Sequence, residues 1–159
     1  MVSMETITRR RPAADLDRHL GYWLRRVSNH VSGEFARTLQ TKRTSVAEWV
    51  VLCHVQDRPG ITPGELAEAL ALTRGAVSKI IDKLEAKNWI TGSTKPEDNR
   101  VRQFSLTRQG SRVLPELSEM ADRNDRTFFD VLESGEKATL RHLLSRLVEL
   151  HHIGAVPIE

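Results

Sequence analysis

The sequence predicts a mainly α-helical protein with a small β-hairpin wing, in which a winged helix-turn-helix module is joined to a helical dimerisation subdomain. Apolar residues recur at steps of three and four through most of the chain, which is the period of amphipathic helices. Two helical segments, 62–70 and 73–88, meet at a tight turn, as in a helix-turn-helix. Directly after them, two short runs of β-forming residues flank 96–100, which is typical of a hairpin.

The two ends of the chain supply long helices whose apolar stripes are larger than one small module can bury. We therefore assign 15–40 and 108–153 to a helical dimerisation subdomain that pairs with its copy in a two-fold homodimer. A monomeric bundle that buries both stripes internally is the alternative. The winged helix-turn-helix module spans 45–107, and 1–14 is predicted to be a flexible N-terminal extension.

Capping residues mark where most of the helices begin. Ser45 and Glu48 have the spacing of a capping box, in which a hydroxyl and a carboxylate each accept a free backbone N–H. The later helices have similar signals: Thr62 with Pro63 and Glu65, then Thr73, then Thr107. The first helix is predicted from Asp15 to about Leu39 by its apolar period. The second helix is expected to turn four residues inward: Val46, Trp49, Val50 and Cys53.

Composition argues against a membrane protein and against a disulfide scaffold. Hydrophobic residues make up 39% of the chain and charged residues 28%, which is ordinary for a globular domain. No apolar run approaches the ~18 residues of a membrane span, and the N-terminus lacks the apolar segment of a signal peptide. The single cysteine, Cys53, cannot form an intrachain disulfide. We expect a cytoplasmic protein with no cofactor and no membrane partner.

Positive charge is concentrated in one part of the chain. Residues 74–108 contain eight Lys or Arg and four Asp or Glu, a net charge of +4, whereas the whole chain has +3. A local basic excess of this kind is typical of a surface that binds a polyanion. The alternative is an ordinary solvated face. Because the excess coincides with the predicted helix-turn-helix and wing, we interpret it as a surface for double-stranded DNA.

The second helix of the helix-turn-helix has the residue types of a recognition helix. Its N-terminal end enters the major groove in this motif, where Arg and Lys donate to guanine and Ser reaches a base or a phosphate. Gly75 removes a side chain where the helix approaches the duplex, and the Thr73 hydroxyl can bind a phosphate oxygen. The predicted contacts are Thr73, Arg74, Gly75, Ser78 and Lys79.

The predicted wing supplies a second set of contacts. Arg100, near its tip, is expected to enter a minor groove, whose narrow A·T-rich form has an enhanced negative potential. Asp98 is expected to orient that guanidinium by a charge-assisted pair, or to cap the turn through its own backbone. Lys95 and Arg102 flank the tip and are predicted to meet phosphates.

These segments resemble the MarR family of bacterial transcription regulators. The resemblance rests on the wing motif Asp98-x-Arg100 with Leu106, Thr107 and Gly110 downstream, supported by the segments TPGELAEAL, TRGAVSKIIDKLEAKNWI and SVAEWVVL. It implies a winged-helix homodimer on a palindromic or pseudo-palindromic operator. In this family such a dimer usually represses transcription, and it is often released by a small aromatic anion or by oxidation.

The resemblance also implies a ligand cleft between the dimer helices and the winged module. An aromatic anion needs a cation and flat apolar walls, and five residues are candidates for supplying them. They are His19, Trp23, Arg26 and His30, which share a face at helical spacing, and Trp49 on the second helix. Packing in the core is the alternative for each.

Other functions are less well supported by the sequence. Cys53 makes a redox-responsive regulator an alternative, although an apolar setting would raise the pKa of its thiol and leave it unreactive. No HExxH motif or Cys/His cluster gathers the six histidines, so no metal site is predicted. No nucleophile motif, P-loop or dinucleotide-binding loop indicates an enzyme. A winged helix without ligand response, used for DNA binding or for protein contacts, is a further alternative.

Overall fold

The computed structural model describes residues 16–95 and 98–154, with only the backbone described at Lys95, Asp98 and Asn99. The described helices and strands are α1 (Leu20–Gln40), α2 (Val46–Asp57), α3 (Pro63–Ala69), α4 (Arg74–Ala86), β1 (Ile90–Lys95), β2 (Asp98–Leu106), α5 (Arg108–Phe129) and α6 (Ser134–Leu150). The predicted fold class, mainly helical with one hairpin wing, is confirmed. None of the described helices is long and apolar enough to cross a membrane.

Capping side chains begin the helices of the winged module as predicted. The Ser45 hydroxyl accepts from Glu48 N at 3.1 Å, and the Glu48 carboxylate accepts from Ser45 N at 2.7 Å, which completes the box. Thr62 and Glu65 form the same box at α3. Each box satisfies backbone donors that the first helical turn leaves without partners.

The first helix begins later than its apolar period predicts. Leu16–Arg18 form a 3₁₀ turn, His19 has an extended backbone, and α1 begins only at Leu20 rather than at Asp15. The Trp23 indole N–H donates to the carbonyl of Asp17 at 2.8 Å, which holds this turn against the helix. Periodicity missed the boundary because the apolar spacing continues across the turn.

The core of the protein lies where α2 packs against α4, α5 and β2. On α2 the fully buried apolar residues are Val51, Leu52 and Val55, and the Glu48 side chain is buried beside them. The four residues predicted to face inward pack against this core but are only partly buried: Val46, Trp49, Val50 and Cys53. A central helix with neighbours on several sides is apolar nearly all round, so its period does not single out one face.

The hairpin is attached to the core at its base. Ile90 pairs with Leu106 and Gly92 with Phe104, and the pairing becomes irregular between Thr94 and Lys95. Phe104 is buried. Its backbone N–H also donates to the carbonyl of Ile61 at 2.9 Å, so the segment before α3 adds a bridge beside β2.

The start of α5 is fixed against the end of the helix-turn-helix. The Thr107 hydroxyl accepts from Gly110 N at 3.0 Å and donates to the carbonyl of Asn88 at 2.6 Å. A Cβ on Gly110 would lie 1.9 Å from the carbonyl oxygen of Trp89, so only glycine allows this approach. This geometry accounts physically for the Thr107 and Gly110 of the sequence motif.

The two ends of the chain meet through α1 and α5. The Asn124 amide donates to the carbonyl of Val31 at 3.2 Å, and the His30 ring lies 5.6 Å from that of Phe128. Large apolar side chains on α1, on α6 and near them remain exposed: Leu16, Leu20, Trp23, Leu24, Val27, Leu143, Leu144, Leu147, Val148, Leu150 and Ile153. Within the described ranges, a single chain thus does not bury both stripes, in contrast to the monomeric bundle considered above.

Candidate nucleic-acid interface

Helix α4 separates an apolar face from a basic one. Val77, Ile81 and Leu84 are buried in the core. The residues predicted to contact DNA are all exposed: Thr73, Arg74, Gly75, Ser78 and Lys79. Helical geometry accounts for this division, because residues three and four apart share a face.

The N-terminus of α4 has the electrostatics of an anion site. Thr73 caps the helix by accepting from Ala76 N at 3.2 Å, which leaves its O–H free to donate elsewhere. The first turn carries Arg74 and no acidic residue. The positive end of the helix dipole and the guanidinium therefore act in the same direction on an approaching phosphate.

Among the described residues, none packs against the side-chain position of Gly75. A Cβ built on it meets no atom within 4 Å, so the protein itself has room for a side chain there. Glycine near a helix start is unfavourable relative to alanine unless something else requires it. Close approach to a second molecule at this exposed position is such a requirement.

Two wing arginines are exposed on β2, Arg100 and Arg102. Arg102 forms an ion pair with Glu85 of α4, with Nη2 2.8 Å from Oε1. The side chains of Lys95 and Asp98, and with them the predicted pairing of Asp98 and Arg100, lie outside what the structure describes.

An ion pair that the sequence did not indicate ties α4 to α2. Lys87 Nζ donates to Glu48 Oε1 at 2.8 Å and to the carbonyl of Arg43 at 2.7 Å, and it lies 4.7 Å from the ring centroid of Trp89. Burial alone would raise the pKa of Glu48. Hydrogen bonds from Lys87 and Ser45, with the charge of Lys87, outweigh burial and lower the pKa below its ordinary value.

The candidate effector residues do not form one cluster. The Arg26 guanidinium lies over the rings of Tyr22 and Trp23, at 5.5 and 5.1 Å, near the exposed start of α1. Trp49 packs edge-on against Phe35 at 5.0 Å. Phe35 is twelve residues beyond Trp23, which is about 18 Å along a helix.

The remaining two candidates have surroundings of their own. His19 precedes α1 with an extended backbone, so it does not share the helical face that its spacing suggested. His30 contacts Phe128. The Nε1 of Trp49 is buried without a hydrogen-bond partner among the described residues, a feature that the sequence alone could not reveal.

Cys53 has the surroundings of an unreactive thiol. Burial raises the pKa of Cys53, and the negative charge of Asp57 raises it further. The thiolate, which is the reactive form, is therefore disfavoured near neutral pH. In the described part of the chain, no group of three or more His, Cys, Asp or Glu side chains is arranged to hold a metal ion.

Comparison with known proteins agrees with this geometry. The MarR family model matches residues 44–101. A proposed transcriptional regulatory protein for the hcr operon of Thauera aromatica is 31% identical over 129 residues, which are 80% of this chain and 78% of that protein.

Two solved structures extend the comparison. A MarR mutant from Escherichia coli in complex with operator DNA has a TM-score of 0.71 at 25% identity, over 81% of this chain and 93% of that one. BpsR from Bordetella bronchiseptica, whose DNA binding is regulated by 6-hydroxynicotinic acid, has a TM-score of 0.70 at 25% identity, over 81% of this chain and 92% of that one. With its basic α4 and its wing, the chain belongs to the MarR family of winged-helix, DNA-binding transcription regulators.

Proposed function

We propose that the protein is a homodimeric repressor that binds a palindromic or pseudo-palindromic operator in the cytoplasm and is released by a small aromatic or phenolic ligand. The observation that carries the DNA-binding part is the exposure of the basic start of α4, together with that of Arg100 on the wing. Arg74, Ser78 and Lys79 contact bases in the major groove or position the protein in it. Arg100 enters the neighbouring minor groove. A winged helix used for protein contacts would favour an apolar or acidic face instead.

The other predicted contacts support those made by α4 and by Arg100. Thr73 donates its hydroxyl to a phosphate, and Gly75 lets the backbone of α4 approach the duplex closely. Lys95 binds a phosphate beside the wing tip, and Asp98 orients Arg100. These contacts fix the register of the protein on the duplex, while base contacts give the sequence preference.

The homodimer is supported by the exposed apolar stripes at the chain ends. A groove of about 340 Å³ between the end of α5 and α6 has a largely apolar lining that includes Phe129, Leu140, Leu144 and Val148. Exposed apolar surface of this extent is typical of an interface. A two-fold dimer presents two copies of α4 and of the wing, which matches an operator with two symmetric half-sites.

Release by a ligand is supported by the unpartnered indole N–H of Trp49. A buried donor without an acceptor is unfavourable, and a phenol or carboxylate oxygen bound near Phe35 and Trp49 would satisfy it. The regulation of BpsR by 6-hydroxynicotinic acid is a precedent of the same chemical class. Redox release through Cys53 lacks comparable support, because burial and the charge of Asp57 raise the pKa of the thiol and disfavour its anion.

The experiment that tests DNA binding is a titration of the protein into the intergenic DNA upstream of its own gene and into a scrambled duplex, at two salt concentrations. Specific binding survives competition by the scrambled duplex, whereas phosphate contacts alone give a steep salt dependence on both duplexes. Absence of binding to either duplex at low salt would exclude the DNA-binding proposal.

Release is tested on the same complex with 6-hydroxynicotinic acid and benzoic acid as probes. Trp49→Phe retains the ring packed on Phe35 and removes the donor. We expect this variant to bind DNA as the wild type does and to need more ligand for release. Equal release of wild type and variant by an active ligand would contradict the role of Trp49.

A further inference from the structure

We propose that Arg102 is a positioning residue that holds the wing at a fixed distance from the recognition helix, and that it does not bind a DNA phosphate. This inference rests on the proposed function, because the distance matters only if α4 and the wing tip enter neighbouring grooves of one duplex. It replaces the phosphate contact that the sequence predicted for Arg102. The exposed Arg100 remains the DNA contact of the wing.

The guanidinium of Arg102 is engaged inside the winged module. Its Nη2 donates to Glu85 Oε1 at 2.8 Å, and its Cζ lies 4.9 Å from the ring centroid of Phe104. Glu85 belongs to the C-terminal half of α4, whereas Arg102 and Phe104 belong to β2. The pair joins the helix to the strand and directs this donor of the guanidinium at α4.

Gly92 of β1 provides the space in which this guanidinium lies. A Cβ on Gly92 would be 2.6 Å from Arg102 Nη2 and 3.0 Å from Phe104 Cε1. The backbone of Gly92 is not in the left-handed region, so space rather than backbone freedom explains the glycine. The guanidinium is therefore restrained on three sides, by a carboxylate, a ring and the bare backbone of the neighbouring strand.

A restraint at this point determines where the wing tip lies. An isolated two-stranded hairpin is marginally stable, and the backbone bridge to Ile61 at Phe104 holds only its base. Arg102 is the last residue of β2 in the regular pairing before the irregular segment toward the tip. It precedes the base anchor Phe104 by two residues and follows Arg100 by two, about 7 Å of extended strand in each direction. Fixing Arg102 on α4 thus fixes the strand from which Arg100 projects.

The test measures operator affinity for Arg102→Gln, Glu85→Gln and the double variant over a range of salt concentrations, on the duplex bound specifically by the wild type. If Arg102 positions the wing, both single variants bind about 5-fold more weakly, which is the upper end for loss of an exposed ion pair. The double variant is then no weaker than either single one. The slope of log affinity against log salt does not change, because no phosphate contact is lost.

A phosphate contact by Arg102 predicts a different salt slope and a different effect of the Glu85 variant. Arg102→Gln would then lower the salt slope by about one for each subunit bound. Glu85→Gln would tighten binding, because it removes a negative charge beside the DNA. Either result, or unchanged affinity in both single variants, would overturn the inference.

Matched controls separate this local effect from charge and folding. Arg126→Gln breaks the exposed pair of Arg126 with Glu119 on α5, where Nη2 lies 2.7 Å from Oε1, and changes the net charge equally. We expect it to leave affinity unchanged. Gly92→Ala displaces the Arg102 guanidinium and should reproduce the weaker binding, whereas Gly135→Ala, with nothing within 4 Å of the added Cβ, should not.

Thermal unfolding of each variant identifies any global loss of structure. Arg100→Ala on the same duplex distinguishes failure of the positioning role from failure of the proposed wing contact. If Arg100→Ala weakens binding and the Arg102 and Glu85 variants do not, only the positioning role fails. If Arg100→Ala also has no effect, the proposed wing contact fails with it.

Discussion

Glu48 at the start of α2 and Lys87 at the end of α4 form an ion pair in which Oε1 and Nζ lie 2.8 Å apart. The Glu48 side chain is 5% exposed and that of Lys87 is 25% exposed, so the pair is largely withdrawn from solvent. The second carboxylate oxygen of Glu48 accepts from Ser45 N in the capping box. One side chain therefore fixes the start of α2 and the end of the recognition helix together.

Glu48→Gln should destabilise the protein through loss of this pair. The amide oxygen of glutamine can still accept from Ser45 N, so the capping box is retained while Lys87 loses its counter-charge. We expect a loss of about 1–3 kcal/mol, less than for a fully buried pair because Lys87 is partly exposed. Urea unfolding measures it.

Glu65→Gln is the matched control for that substitution. Glu65 forms the same capping box with Thr62, but its ion pair with Arg58 is exposed, at 40% and 60% of the two side chains. Such pairs contribute only about 0–1 kcal/mol. Equal losses of unfolding free energy in the two variants would show that the Glu48–Lys87 pair stabilises the protein no more than an exposed pair does.

The pH dependence of stability should reflect the protonation of Glu48. Burial acts to raise the pKa of this carboxyl, but hydrogen bonds and the charge of Lys87 leave the pKa below its ordinary value in the folded state. Its contribution is therefore fully present above the pKa of the unfolded chain and is lost as the pH falls through the folded value. The stability gap between wild type and Glu48→Gln should shrink on acidification below the ordinary glutamate pKa. A gap that stays constant down to pH ~3 would contradict this origin.

Gly75→Ala should stabilise the protein and weaken operator binding. The added methyl group meets nothing within 4 Å. Alanine also lowers the conformational entropy of the unfolded chain, which raises the free energy of unfolding by about 0.5 kcal/mol. On DNA the same methyl group obstructs the close approach of α4. Gly135→Ala is the matched control, because it too is the second residue of a helix with open space around it. Unchanged affinity of Gly75→Ala would show that α4 does not approach the duplex at this residue.

Arg100→Ala should weaken specific binding by about 1–3 kcal/mol, the usual cost of losing one base contact. Fluorescence anisotropy on the operator and on the scrambled duplex measures the affinity and the specificity ratio. The exposed Arg123 of α5 supplies the control Arg123→Ala, with the same change of charge away from the wing. If both variants lose equal affinity, net charge rather than a groove contact is responsible.

Leu147→Asp should dissociate the homodimer. Leu147 is 44% exposed in the single chain and lies on the apolar stripe of α6, so a carboxylate there would be buried unpaired at the interface. Analytical ultracentrifugation should then give the mass of one chain, and operator binding should weaken as the second half-site is lost. Ala138→Asp, nine residues earlier and on the opposite face of the same helix, should remain dimeric. A wild type that sediments as one chain would refute the dimer itself.

The sequence was sufficient for the order of the elements and for many helix starts. Ser45, Thr62, Thr73 and Thr107 cap the helices that they were predicted to cap. Capping is a local interaction over three residues, so the sequence contains all of its participants. The fully buried side of α2 was not identified from the sequence, because burial there depends on neighbours distant in the sequence.

The side-chain contacts around the candidate site were beyond prediction for the same reason. Glu85 meets Arg102 across 17 positions and Glu48 meets Lys87 across 39. Before the fold is known, each of these residues is one charge among 45 charged side chains. Periodicity correctly placed Arg74, Gly75, Ser78 and Lys79 on the outer face of α4. It could not indicate that Arg102 of β2 pairs with Glu85 of that helix.

The two ends of the hairpin are held together independently of its tip. Thr107 N donates to the carbonyl of Trp89 at 3.0 Å, and Ile90 pairs with Leu106 immediately inside that bond. Residues inserted or removed between β1 and β2 would therefore change loop-closure entropy only slightly, since that cost grows with the logarithm of loop length. The length of the wing is thus a parameter that mutation can adjust separately from the core. We expect it to set the number of base pairs between the groove proposed for α4 and the groove proposed for the wing.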